Sequence, residues 1–122
     1  MKAARKRQHP EAALHRAVAK YLDDALPKSH AWNTFPAGGG GKIRGAQLRA
    51  MGLKPGWPDI VIFSPDGVTY WIELKSPKGR LSKEQTFTHR KLLSLGHVIT
   101  IARSLIDVVR FLALFGLTRA RP

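Results

Sequence analysis

Asp59, Glu73 and Lys75 are the residues of this 122-residue chain whose types and spacing carry the most chemistry. They fall within Gly56 to Lys75. Ile60 to Phe63 is an apolar β-branched run, Ser64-Pro65-Asp66-Gly67 is turn chemistry, and Val68 to Lys75 reads as a second strand. An antiparallel hairpin follows. Alternation puts Val68, Tyr70, Ile72 and Leu74 on one face and Thr69, Trp71, Glu73 and Lys75 on the other. Closing the hairpin about its turn sets Asp59 opposite Ile72 and Glu73, so two carboxylates and one amine converge. Paired carboxylates repel unless one stays protonated or a cation lies between them, and a hard divalent ion such as Mg²⁺ takes oxygen ligands in this way. The backbone carbonyl of Leu74 offers a third oxygen. The plainer alternative is a half-exposed hairpin with a cross-strand ion pair.

The rest of the chain must hold that hairpin in place. Pro10 suits a first helical turn and Pro27 cannot continue a helix, which predicts a helix over Pro10 to Leu26 with Leu14, Val18, Tyr21, Leu22 and Ala25 inward. Glu11 then sits at the N-terminal end of the core-facing stripe, where it either joins the acidic site or simply favours the positive helix end. His15, one turn on, either shares that cleft or lies at the surface. Ala31 to Phe35 reads as a strand. Ala37 to Lys42 is a glycine-rich loop that departs from the Walker pattern at Pro36 and Ile43, which excludes nucleotide hydrolysis by that route. Ile43 to Met51 reads as a short basic helix closed by Gly52. Ser82 and Gln85 stand at capping-box spacing, so a helix should run from Lys83 to Ser94, followed by a strand over His97 to Ala102. Ser104 and Asp107 open a last helix that runs to Phe115. Helix between strands implies a crossover and a mixed sheet.

Twenty-one Lys and Arg stand against eight Asp and Glu, a formal charge of +13, and this favours a polyanionic partner, nucleic acid above all. A convergent acidic pair inside so basic a chain calls for a reason beyond coating phosphate. The absence of cysteine removes disulfides and thiolate metal sites and leaves oxygen-ligand metals. No apolar run reaches the length of a membrane span, and the basic start lacks a signal peptide's apolar segment, so the expectation is a cytoplasmic protein with no membrane partner. The chain divides into a basic arm, residues 1–9, one domain over residues 10–117, and a short tail, residues 118–122.

Glu11, Gly56-Trp57-Pro58-Asp59, Glu73-Leu74-Lys75 and Gln85 together resemble the signature of the virus-type replication-repair nuclease (VRR-NUC) domains of the PD-(D/E)xK superfamily, in their stand-alone form. The likeness runs from Glu11 to the last helix. It departs at the glycine-rich loop, where members often carry a Pro-Asn-Gly turn. The resemblance implies an α/β, restriction-endonuclease-like core, a small mixed β-sheet flanked by helices. It implies further that Asp59, Glu73 and the Leu74 carbonyl hold Mg²⁺ or Mn²⁺, with Glu11 completing the set directly or through water. Lys75 would orient and help deprotonate the attacking water, and Gln85 would position the site from the following helix. Lys42, Arg44, Lys78 and Arg80 would grip phosphates on either side. The expected activity is metal-dependent cleavage of DNA, and the competing one is non-catalytic binding of nucleic acid.

Leu105 to Leu117 is apolar nearly all round a helix, and one small sheet can cover only one side of it. An exposed remainder predicts a protein contact, most simply a two-fold homodimer. By the family resemblance, paired sites in such a dimer suit a branched substrate such as a four-way junction. The alternative is that the N-terminal helix covers the remainder.

Overall fold

The computed structural model describes residues 10–35 and 41–119; the basic arm expected at residues 1–9, the loop over residues 37–40 and residues 120–122 of the tail lie outside the described residues. The elements are α1 (Pro10–Ala25), β1 (Ala31–Thr34), α2 (Gly41–Ala50), β2 (Ile60–Phe63), β3 (Thr69–Leu74), α3 (Lys83–Ser94), β4 (Val98–Ala102) and α4 (Leu105–Leu114). The order matches the expected one; α2 begins at Gly41 rather than Ile43, β3 is shorter by a residue at each end, and the remaining bounds agree to within a residue.

The hairpin forms about its predicted turn. Asp66 Oδ1 accepts from the Ser64 hydroxyl and from the Val68 amide, and Gly67 takes the left-handed φ of +85° that this turn needs. Strands run in the order β1-β2-β3-β4, antiparallel across the first two pairs and parallel between β3 and β4, which α3 connects as a crossover. The sheet is therefore mixed and β3 is interior to it. Helices cover both faces. Val18, Leu22 and Leu26 at one end of the chain and Val108, Phe111, Leu112 and Leu117 at the other pack on Ile60, Ile62, Tyr70, Ile72 and Leu74. On the opposite face Val61, Trp71 and Leu92 form a second core with Phe35, Trp57 and Ile99. A fully buried Leu or Ile contributes about 1.5–3 kcal/mol, so the first core carries most of the stability.

Double cover changes the character of β3. Tyr70, Trp71, Ile72, Glu73 and Leu74 are all buried, so the half-exposed hairpin is not what forms. The two ends of the chain are also tied together: the Arg119 amide donates to Ala25 O and its Nε to Leu26 O, both at 2.8 Å, satisfying carbonyls at the α1 C-terminus. Against α1, Phe111 and Leu112 of α4 and Leu117 beyond its end are buried, while Ile106 and Leu114 remain 51% and 78% exposed. The N-terminal helix thus covers part of the apolar helix and leaves part of it bare. Among the described residues, no helix is long and apolar enough to cross a membrane.

Candidate active site

The acidic residues meet where β2 begins and β3 ends. Asp59 is fixed by its backbone on both sides: its carbonyl accepts from Phe35 N at 2.8 Å and its amide donates to Ile72 O at 3.1 Å. The Ile60–Ile72 register sets Asp59 opposite Glu73, as the folded hairpin predicts. The Asp59 side chain then turns along the strand, and Oδ2 accepts from Leu74 N at 2.7 Å. This N–H would otherwise be unpaired at the strand end, so it is both satisfied and used to aim the carboxylate.

Glu73 is 2% exposed, an unusual position for a carboxylate. Two residues from α3 hold it. His89 Nε2 lies 3.0 Å from Oε1, and Gln85 Nε2 donates to Oε2 over a longer 3.4 Å. Burial first, and the neighbouring Asp59 carboxylate second, push the Glu73 pKa up to about 8, against the opposing pull of Lys75. Glu73 therefore keeps a proton at neutral pH, and that proton is how the two carboxylates tolerate one another. Burial and the positive Lys75 lower the pKa of His89, against the attraction of Asp59.

Gln85 has two roles at once. Its Oε1 accepts from Ser82 N at 2.9 Å and its backbone N–H donates to Ser82 Oγ at 3.1 Å, completing the predicted capping box, while Nε2 of the same side chain reaches Glu73. Gly56 makes this approach possible. Its φ is +87°, and a Cβ there would lie 2.4 Å from the backbone C and O of Glu84. Only glycine lets the Gly56–Asp59 segment lie against the first turn of α3.

Glu11 is exposed but directed at the same end of the sheet, its Oε1 accepting from Ser76 N at 3.3 Å. With His15, Asp59 and Leu74 it lines a cavity of about 230 Å³. His15 itself reaches Thr34 Oγ1 at 3.1 Å. Glu11, Asp59, Glu73, Leu74, Lys75 and Gln85 are thus brought together. Among the described residues no three His, Asp or Glu side chains form a metal-binding group by themselves. Lys42 and Arg44 are exposed on α2, and Lys78 and Arg80 on the loop after β3. Arg103 clamps that loop, its Nη1 donating to Ser76 O and Gly79 O at 2.7 Å each. His89 and Arg103 are the two positioning residues that sequence reasoning missed. His89 stands one helical turn after Gln85 and was open to discovery on that ground; nothing in the sequence marks Arg103.

A four-stranded mixed sheet flanked by helices thus sets an Asp and a Glu opposite one another at one end, with a lysine two residues on. A solved structure described as a VRR_NUC domain protein matches it with a TM-score of 0.66 at 18% identity, covering 84% of this chain and 84% of that one. A second, described as a VRR_NUC domain, matches with a TM-score of 0.61 at 14% identity, covering 85% of this chain and 95% of that one. The chain has the VRR-NUC fold. No protein-family model and no curated protein matches its sequence.

Proposed function

We propose that this chain is a divalent-metal-dependent DNA endonuclease acting on branched DNA such as four-way junctions. The observation that carries the proposal is the pairing of Asp59 with Glu73 at the mouth of β2 and β3, beside Lys75, in a VRR-NUC fold of charge +13. A carboxylate pair, one member buried and the other half-buried, has little structural use in so basic a chain, whereas phosphodiester hydrolysis requires oxygen donors close to phosphate.

The donor chemistry fits Mg²⁺ or Mn²⁺. Asp59 and Glu73 are hard oxygen donors crowded enough that Glu73 retains a proton, and a cation would take that proton's place. The Leu74 carbonyl and, directly or through water, Glu11 complete the set. The metal would supply charge neutralisation at phosphate and a more acidic water. The protein's own residues do the positioning. Leu74 N–H aims Asp59, His89 and Gln85 aim Glu73, and Lys75 would orient the attacking water as its oxygen bonds to phosphorus and the strand's P–O bond breaks, the water's proton passing to solvent and the leaving oxygen taking one up. Lys42 and Arg44 contact phosphate from α2, a helix with no buried residue among those described, and Lys78 and Arg80 do so from the loop that Arg103 holds.

A panel of labelled junctions, flaps, nicks and plain duplexes, incubated with Mg²⁺ or Mn²⁺ at salt that suppresses non-specific binding, tests the proposal. Cleavage should require metal, vanish in Asp59→Asn and in Glu73→Gln while DNA binding persists, and fall in Lys75→Ala. Full activity in Asp59→Asn ends the nuclease reading, as does binding without cleavage on every substrate.

A further inference from the structure

A second concave site lies on the side of α3 away from Glu73. It is a cavity of about 510 Å³ between the segment Lys54–Trp57 and the outer face of α3, and its walls are almost wholly apolar. Lys83, Phe87 and Lys91 follow one another at four-residue spacing along α3, so they form one stripe with an aromatic ring between two ammonium groups. Phe87 is 70% exposed, a large apolar surface that no core contact explains. Facing it is Trp57, whose ring is fixed from behind by Phe35 at 5.3 Å and Trp71 at 5.4 Å between centroids. Lys54 closes the rim with a third positive charge. Glu84 is the acid in the wall, in the first turn of α3, where a carboxylate favours the helix end.

We infer that this cavity receives an unpaired nucleobase of the DNA strand, stacked against Phe87 and Trp57, with the flanking phosphates on Lys54, Lys83 and Lys91. Charge decides the occupant. An apolar peptide segment would gain nothing from three lysines around the rim, whereas a splayed-out nucleotide offers a π-face to the aromatic rings and an anion to each ammonium. The two chain segments that build the cavity are the two that build the carboxylate site: Trp57 stands two residues before Asp59, and Lys83, Phe87 and Lys91 share a helix with Gln85 and His89. A base held here fixes the strand relative to Asp59 and Glu73. Preference for branched over continuous duplex then arises because a branch supplies an unpaired or easily unstacked base. The inference rests on the reading of the chain as a protein that acts on DNA, and its test is one of binding, without metal.

Affinity is measured in EDTA by fluorescence anisotropy for two duplexes, one fully paired and one with a single unpaired adenine. Wild type should prefer the second, and 2-aminopurine at the unpaired position should be quenched on binding. Phe87→Ala should lose roughly tenfold on the duplex with the unpaired base and nothing on the paired one, and Phe87→Trp should retain the preference. Lys83→Ala and Lys91→Ala should each lower the salt dependence by about one unit of slope. The exposure of Phe87 makes misfolding a poor explanation for any loss, and circular dichroism checks it. Equal binding of both duplexes by wild type, unquenched 2-aminopurine, or an unchanged Phe87→Ala overturns the inference. Cleavage data separate it from the function above. A chain that never cleaves yet loses discrimination in Phe87→Ala keeps the base site without the nuclease, and one that cleaves while Phe87→Ala binds as wild type keeps the nuclease alone.

Discussion

Glu73 Oε1 stands 3.0 Å from His89 Nε2, with both side chains buried beneath α3. The geometry is that of an ion pair, but the chemistry is not. Burial and Asp59 raise Glu73 to about 8, while burial and Lys75 lower His89 below its ordinary 6.5. At neutral pH without metal both are uncharged, and the contact is a neutral hydrogen bond that keeps the site assembled.

A pH dependence of stability follows. Glu73 titrates near 4.5 when unfolded and about 8 when folded, so the folded state holds an extra proton between those values. Its contribution is intact below about pH 4.5 and is lost as pH rises through about 8, a swing on the order of a few kcal/mol. His89 has the opposite sign: its folded pKa is depressed, so stability is lost as pH falls below about 6.5. In EDTA, the melting temperature of Glu73→Gln should gain on wild type between pH 5 and pH 9. A difference that stays constant with pH would refute the protonated Glu73.

Gly56→Ala tests the contact between the Gly56–Asp59 segment and α3. The substitution forces a Cβ into a left-handed conformation and within 2.4 Å of Glu84 backbone, and backbone cannot step aside as a side chain can. The expected loss is about 2 kcal/mol or more in urea denaturation. Cleavage should fall further than stability explains, because α3 carries both Gln85 and His89. Wild-type stability would mean that the two segments do not touch in solution.

The hairpin and α3 were legible because their signals are local: a Ser-Pro-Asp-Gly turn, β-branched runs, and the Ser82–Gln85 box. The opposition of Asp59 and Glu73 followed from counting back from that turn. The burial of Glu73 did not. The alternation Thr69, Trp71, Glu73, Lys75 reads as a half-solvated face, and only the crossover that lays α3 over it makes the carboxylate buried and its pKa high. Arg103 escaped for the same reason, since its partners lie 24 to 27 residues away in sequence. The aromatic set of Phe35, Trp57 and Trp71 joins three separate segments, and no spacing rule links them.

Glu11→Gln separates two roles for the first acid of the chain. The Ser76 amide and the cavity shared with Asp59 place Glu11 at the site, while its place in the first turn of α1 gives it a favourable interaction with the helix end in any case. The helix role alone predicts a loss of about 0.3–1 kcal/mol with normal cleavage. The site role predicts a large fall in metal-dependent cleavage at nearly unchanged melting temperature. Normal turnover returns Glu11 to the helix.

Assembly is tested on the bare side of α4. Leu105, Ile106, Leu114 and Phe115 are exposed despite the cover from α1, and Leu114 shares a shallow cavity with Ile101 of the adjoining strand β4, which is exposed as well. β4 is also an edge of the sheet, with β3 on one side and no strand on the other among the described residues. Apolar side chains beside an open edge are surface that a second copy would cover, and a two-fold pairing through this face would set two carboxylate sites in fixed relation. Light scattering at micromolar concentration should give about twice the 13.5 kDa of one chain. Leu114→Glu places a charge where the wild-type side chain is already in water, so the monomer should fold as before and the mass should drop to that of one chain. If that variant keeps its activity on nicked duplex but loses paired incision of a four-way junction, the dimer is what matches the enzyme to the junction. A wild-type mass of one chain at every concentration would end the dimer proposal, and with it the structural argument for four-way junctions over simpler branches.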